Sequence, residues 1–139
     1  MSTLADAISR VAQILGSVPG IRQAPEAPPE QMNVFPFAVV YPADGEHTFG
    51  TPGERLALET ISIEIHVARK DLPRDVATSL PFADSIPDAL MADMVGTQWN
   101  STIDTFDRIN WTFGTLGWGG METIGFKFLI SGVKRRIVY

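Results

Sequence analysis

The stretch RLALETISIEIHVARK, Arg55 to Lys70, carries the clearest secondary-structure signal in the chain. Apolar and polar residues alternate along it, which is the period-two pattern of a β-strand with one face buried. The strand is longer than the sheet of a 139-residue domain requires. We therefore expect part of it to overhang as a hairpin arm that can pair with a neighbouring subunit. The apolar set is Ile61, Ile63, Ile65 and Val67, and the polar set is Thr60, Ser62, Glu64 and His66.

The residues before this strand predict a helix and a second strand. Apolar residues recur at spacings of three and four from Thr3 to Gly16, Thr3 can cap the helix, and Asp6 fits a capping box. Alternate residues of the segment Phe35–Tyr41 point to opposite faces, and the residues on both faces are apolar. This pattern predicts a strand covered on both sides. Residues 21–24 are a further, short strand candidate.

Glycine and proline are frequent between residues 42 and 55, which predicts a long loop. Phe49 lies in this loop next to Gly50. We expect the loop to be mobile in the free protein and to become ordered on assembly, because a large aromatic side chain on a flexible segment is a common anchor for a partner.

The second half of the chain predicts a helix followed by two strands. Apolar residues at four-residue spacing indicate a helix over residues 80–95, broken near Pro87. Residues 103–113 and 122–130 alternate as strands do, and a glycine-rich connection around Trp118 joins them.

These elements predict a single α+β domain spanning residues 1–139. Its sheet is mostly antiparallel, with four to five strands. The N-terminal helix and the second, broken helix are expected on one face of that sheet.

Composition limits the classes of function. The chain has 45% hydrophobic and 19% charged residues and no cysteine, which is a folding composition and excludes disulfide scaffolds and thiolate metal sites. No apolar run approaches the roughly 20 residues of a membrane-spanning helix, and the N-terminus does not resemble a signal peptide. The sequence therefore predicts a soluble protein made in the cytoplasm, without a membrane partner.

Charge is unevenly distributed along the chain. The formal net charge is −5, yet Lys134, Arg135 and Arg136 are consecutive. Without these three, eight basic residues face sixteen acidic ones. An acidic body disfavours gripping nucleic acid. Residues 134–139 are expected to form a short basic tail that contacts an acidic neighbour, or else a disordered, solubilising end.

Signals for catalysis are weak. Asp44, Glu46 and His47 could form a carboxylate–histidine site, but we strongly favour an acidic solvated loop as their interpretation. Asp84 and Asp88 lie one helical turn apart and could ligate a divalent cation, but we favour the interpretation that they form the solvent-exposed face of an amphipathic helix. No nucleotide-binding or metal-spacing motif occurs. We predict no enzyme activity, no catalytic residue, no cofactor and no metal site.

The candidate functional residues are instead interaction residues. They are Phe49, Arg55, Trp118, Lys134, Arg135 and Arg136, as contacts to a partner or to another subunit. For Phe49 and Trp118 the alternative is that both side chains fold back to fill the core.

The order of elements resembles a known family. A helix ends in Val18-Pro19-Gly20-Ile21-Arg22, the strand Phe35–Tyr41 follows, and then come the long strand Ile61–Val67, a helix and the closing strand Thr123–Phe128. This order resembles the tail terminator, or tail completion, proteins of long-tailed bacteriophages. The resemblance implies a virion protein that forms a ring, commonly a hexamer, at the head-proximal end of the tail tube. It implies contacts with the tube protein and with head–tail connector or neck proteins, while genomic DNA passes through the channel without specific binding.

Other classes fit less well. Phage head-closure proteins are mostly small β-barrels, which leaves the N-terminal helix unexplained, and adaptor proteins are mostly helical. The remaining alternatives are another neck or minor tail component, or an unrelated small cytoplasmic binding protein or enzyme.

Overall fold

A computed structural model describes residues 2–139 of the chain. Four strands form one antiparallel sheet in the order β1-β2-β4-β3. The predicted α+β class, the antiparallel sheet, the N-terminal helix and the broken second helix are all confirmed. The elements are α1 (Leu4–Gly16), β1 (Phe37–Thr48), β2 (Glu54–Ala68), α2 (Leu72–Ser79), α3 (Phe82–Ser101), β3 (Arg108–Trp118) and β4 (Met121–Val138).

Helix α1 begins where its sequence predicts. The Thr3 side chain accepts a hydrogen bond from the Asp6 N–H at 3.1 Å, and the Asp6 carboxylate accepts one from the Thr3 N–H at 3.0 Å. Both bonds hold the pKa of Asp6 below its ordinary value, and the bond from the Thr3 backbone N–H has the larger effect. Val11 and Leu15, on the apolar side of the helix, are fully buried in the core that the helix shares with the sheet.

The second helix is broken earlier than predicted. Helices α2 and α3 meet at Leu80 and Pro81, and α3 continues through Pro87. Helix α3 also extends past residue 95, where its last turn has left-handed backbone angles. That turn carries Trp99 into the core, where its indole N–H donates to the carbonyl of Leu90 at 3.0 Å.

The main core lies between the helices and one face of the sheet. Arg10 in α1 pairs with Asp93 in α3 at 2.8 Å, which links the two helices over this core. The sheet contributes Ala38, Val40, Ile61, Ile63, Ile65, Phe126, Phe128, Ile130 and Val133, and the helices contribute Val11, Leu15, Phe82, Ile86, Leu90 and Trp99.

The opposite face of the sheet is also covered. Residues 25–36, here called the strap, place the buried Met32 against Phe37 and Val39. The expectation that β2 is only half-buried is therefore wrong, because Ser62, Glu64 and His66 lie beneath this second layer. The short strand expected at residues 21–24 is reduced to a single bridge between Gln23 and Phe37.

At one end of the sheet, three strands continue as the arm, defined as residues 44–48, 54–60 and 132–138. The long loop expected at residues 42–55 is wrong: residues 42–48 belong to β1, and residues 54 and 55 belong to β2. The register shifts between Pro42 and Asp44, so the strand accommodates the proline and continues. Only residues 49–53 connect the two strands.

The basic tail expected at residues 134–139 is also wrong. Strand β4 runs to Val138 and pairs with β2 along the whole arm. A second register shift, between Glu59 and Ile61, keeps Val133 and Ile137 buried on the helix side. Tyr139 is tied down as well, because its N–H donates to the Gly53 carbonyl at 2.7 Å.

Candidate functional site

Three of the predicted interaction residues lie together at the end of the arm. Phe49 is 69% exposed in the turn between β1 and β2, and Arg136 lies opposite Leu56 in the ladder of β2 and β4. The guanidinium of Arg55 lies over the ring of Tyr139, 5.6 Å from its centroid. We call Phe49, Arg55, Leu56, Arg136, Val138 and Tyr139 the arm tip.

The arm tip exposes apolar side chains and two arginines, and the carboxylate of Glu54, opposite Val138, lies among them. Phe49, Leu56, Val138 and Tyr139 are all among the exposed large hydrophobic residues, and Arg136 is exposed beside them. Strand alternation places Leu56, Arg136 and Val138 on one face of the arm and Arg55 with Tyr139 on the other, so the arm tip comprises both faces at the end of the paired strands. Exposed apolar groups on a rigid support lose little conformational entropy when they dock.

The three consecutive basic residues do not act as one cluster. Alternation along β4 directs Arg135 to the helix side, where its guanidinium pairs with Glu59 and both side chains are buried. Lys134 and Arg136 point to the other side, and Lys134 lies 3.3 Å from Asp107. Arg135 is therefore unavailable to a partner, contrary to its prediction as an interface residue.

Trp118 lies away from the arm tip, at the end of β3 next to the turn into β4. Its indole N–H donates to the Pro29 carbonyl at 2.6 Å, and its ring lies 5.8 Å from that of Tyr41 and 6.2 Å from that of His66. The side chain thus folds back to hold the strap, which was the alternative for this residue. The neighbouring Gly119 allows this close approach, because a Cβ there would collide with the Glu30 carbonyl.

A buried polar network lies under the strap. The Tyr41 hydroxyl donates to the Glu64 carboxylate, whose other oxygen lies 3.0 Å from Nε2 of His66. Nδ1 of His66 lies 2.5 Å from the Thr123 hydroxyl. Both His66 and Thr123 are fully buried. The Ser62 hydroxyl, on the same strand, has no hydrogen-bond partner in the described part of the chain.

The network shifts the pKa values of its two acidic groups, Glu64 and Tyr41, in opposite directions. Burial alone raises the pKa of Glu64, but its contacts with His66 and Tyr41 and the nearby charge of Lys127 outweigh it and lower that pKa. Burial, with the adjacent Glu64 carboxylate, raises the pKa of Tyr41. Both groups therefore keep their pH 7 charge states more firmly when the protein is folded.

The same network raises the question of catalysis. The Thr123 hydroxyl contacts the His66 imidazole, which in turn contacts the Glu64 carboxylate. The same three groups in this order activate the nucleophile in hydroxyl-dependent enzymes. Thr123 is fully buried, so its hydroxyl cannot meet a substrate in this conformation. We interpret the network as a structural link among β1, β2 and β4.

Sequence reasoning missed this network because it considered β2 alone. The strand shows a polar face, and His66 has no partner within its own segment. The available signal was the neighbouring strand Phe35–Tyr41, which is apolar on both faces and so requires a cover on the side where His66 points.

The weaker candidates remain apart. Asp44, Glu46 and His47 lie on the exposed outer part of β1, and the His47 ring is 6.4 Å from that of Phe49. Within residues 2–139, no three His, Cys, Asp or Glu side chains are grouped to hold a metal ion.

No protein-family model matches the chain, and no curated protein matches it significantly. Across residues 2–139, every helix is too short or too polar to cross a membrane.

Proposed function

We propose that this chain is a structural virion protein of a long-tailed phage. In this proposal it forms a hexameric ring at the head-proximal end of the tail tube. The ring ends tube growth and joins the tail to the head. The order of helix and strands supports the proposal through its resemblance to tail terminator proteins.

The arm tip is the observation that carries the proposal. Phe49 and Tyr139 each keep 69% of their surface exposed, at the far end of paired strands. Such an exposed apolar end suits insertion into a neighbouring molecule, where a buried aromatic supplies much of the binding energy. The arm tip of one subunit then docks on the next subunit or on the tube.

Charge is consistent with an assembly around DNA. Each chain carries −5, so six copies carry about −30, and the repulsion must be offset by interface burial. Arg55 and Arg136 bring positive charge to the arm tip, whereas Asp44 and Glu46 make the outer edge of the arm acidic. An acidic channel lets phosphates pass without holding them.

The proposal is tested by electron microscopy of phage tails that assemble in cells expressing variants of this chain. Phe49→Ser removes the apolar anchor and Arg136→Ser removes a cation from the arm tip. Leu80→Ser is the matched control, since Leu80 is 55% exposed but lies between α2 and α3. We expect the arm-tip variants to give overlong tails separated from heads.

The control should give joined particles of normal tail length. If all three variants give normal tails, the arm tip is not the assembly surface. If tails purified without this chain are joined and of normal length, the proposed function itself is wrong.

A further inference from the structure

The outer edge of β3 is unpaired and unprotected. Strand β3 pairs with β4 on one side, and no other strand among residues 2–139 pairs with its outer side. From Ile109 to Trp118 the sequence INWTFGTLGW contains no charge and no proline. Proteins that avoid edge pairing place lysine, proline or a bulge on such an edge.

The other edge strand of the same sheet has those protective features. Strand β1 carries Pro42, a register shift before Asp44, and the exposed Asp44 and Glu46 on its outer half. Its beginning is bridged to Gln23. The absence of protection on β3 is therefore specific to this edge.

Two aromatic residues of β3 stand exposed beside the unpaired edge. Trp111 is 53% and Phe113 is 37% exposed, on the side of the sheet that the helices cover elsewhere. Both rings contact Phe126 edge to face, with centroids 5.3 and 5.0 Å apart. They are held in place, so pairing would cost them little side-chain entropy.

We infer that β3 pairs antiparallel with β3 of a second copy of this chain. The pairing is centred on Thr112, which lies opposite Thr112 of the other copy. This register keeps both helix layers on the same side of a continuous sheet. It places Trp111 of each copy opposite Phe113 of the other, giving two cross-strand aromatic pairs, which are favourable in sheets.

A second copy of β3 fits this edge better than β1 does. In the two-fold pairing no carboxylate meets a carboxylate, because the paired segment is uncharged from Ile109 onward. Pairing with β1 would bring Asp44 and Glu46 against an uncharged strand and would meet Pro42, which has no N–H to donate. Two-fold contacts of this kind are the commonest in homo-oligomers.

This dimer does not rest on the proposed ring. A two-fold contact between identical edges closes on itself, so it cannot build a ring alone. It joins two copies, either free or in two adjacent assemblies, and it leaves both arm tips accessible.

Cysteine cross-linking tests the inference cleanly, because the chain has no cysteine of its own. In antiparallel pairs, opposite Cα atoms are about 4.5–5.5 Å apart, within the range a disulfide spans. We expect Thr112→Cys to form a disulfide-linked dimer with oxidised glutathione. Thr48→Cys, an exposed threonine on the other edge strand, is the matched control and should stay monomeric on a non-reducing gel.

A mixture of the two variants distinguishes the alternatives. Cross-linked product joining Thr112→Cys to Thr48→Cys would overturn the two-fold pairing in favour of a β3-to-β1 contact. If Thr112→Cys and Thr48→Cys each form disulfide-linked dimers to the same extent, the cross-links come from random collision. That result would also overturn the β3-to-β3 pairing.

Sedimentation of charge variants gives an independent measurement. Thr112→Lys places two lysines opposite each other at the centre of the pairing, and we expect the dimer dissociation constant to rise at least tenfold. Thr115→Lys, also exposed on β3, provides a second variant should the first fail to fold. Wild-type protein that remains monomeric over the whole concentration series would contradict the inference, whatever the outcome for tails.

Discussion

The guanidinium of Arg135 in β4 forms a paired contact with the carboxylate of Glu59 in β2, with Nη2 lying 3.1 Å from Oε2. Only 5% of Arg135 and 6% of Glu59 is exposed. Nη1 of Arg135 also donates to the Ser2 carbonyl at 3.2 Å, so the pair joins the arm to the start of α1. A buried pair is costly to break, because the remaining charge has no partner.

Arg135→Met should therefore destabilise the fold by about 3–5 kcal/mol, since it leaves Glu59 buried and unpaired. Arg136→Met is the control: it changes the adjacent, exposed arginine and should stay within about 0.5 kcal/mol of wild type. Urea unfolding of the purified proteins measures both. Equal small effects would show that the Arg135–Glu59 pair contributes no stability.

Glu64 should make stability depend on pH in the acid range. Its folded pKa lies below the ordinary value, so the unfolded chain binds the proton more readily. The resulting stability is fully present above the ordinary pKa of a glutamate, about 4.3, and is lost as pH falls through the folded value. Glu64→Gln should flatten this part of the profile, as measured by urea unfolding at several pH values. Glu46→Gln, which changes an exposed carboxylate on the outer part of β1, is the control and should leave the slope in place.

Tyr41 should act in the opposite range. Its folded pKa is raised, so the unfolded chain loses the proton first. Stability is then present below the ordinary pKa of tyrosine, about 10, and is lost as pH rises above it. Tyr41→Phe should show a smaller loss between neutral and strongly alkaline pH. An unchanged alkaline slope in this variant would place the titrating group elsewhere.

Trp118→Phe should loosen the strap without unfolding the domain. The substitution removes the hydrogen bond to the Pro29 carbonyl, whose net contribution is about 0.5–1.5 kcal/mol, and keeps most of the aromatic contact. We expect faster amide exchange and faster proteolysis within residues 25–36. Trp111→Phe, on the exposed edge, is the control. Faster exchange throughout the sheet would instead make Trp118 part of the global core.

Replacing residues 49–52 with Gly-Ser-Gly-Ser should leave the arm folded. The replacement keeps the length of the connection between β1 and β2 and keeps Gly53, whose carbonyl accepts a hydrogen bond from the Tyr139 N–H. Unfolding should change little, whereas assembly should fail because Phe49 is gone. If the variant assembles normally, Phe49 is not required for docking. If the variant unfolds, the connection between β1 and β2 is required for the fold.

Local pattern was sufficient for the elements with regular periodicity. The capping residues of α1 and the alternation from Ile61 to Val67 depend on neighbours within a few positions, so sequence alone predicts them. The same holds for the alternating part of β4. These elements also establish the fold class.

The arm could not be predicted in this way, because long-range pairing overrides local composition. Pro42 and Gly45 favour a loop by propensity, yet pairing with β2 and a register shift keep them in a strand. The same pairing gives Arg135 its buried partner, Glu59, which is distant in sequence. Strand alternation could have indicated that Arg135 and Arg136 face opposite ways, had residues 131–138 been taken as a strand.

Localisation of this chain on tails tests the central proposal most directly. Gold-labelled antibody against the chain, viewed by electron microscopy on intact tails, should mark only the head-proximal end, and averaged images of that end should show a closed ring. Label along the tube or at the distal tip, or complete tails with no label while the chain stays free in the lysate, would contradict the proposal.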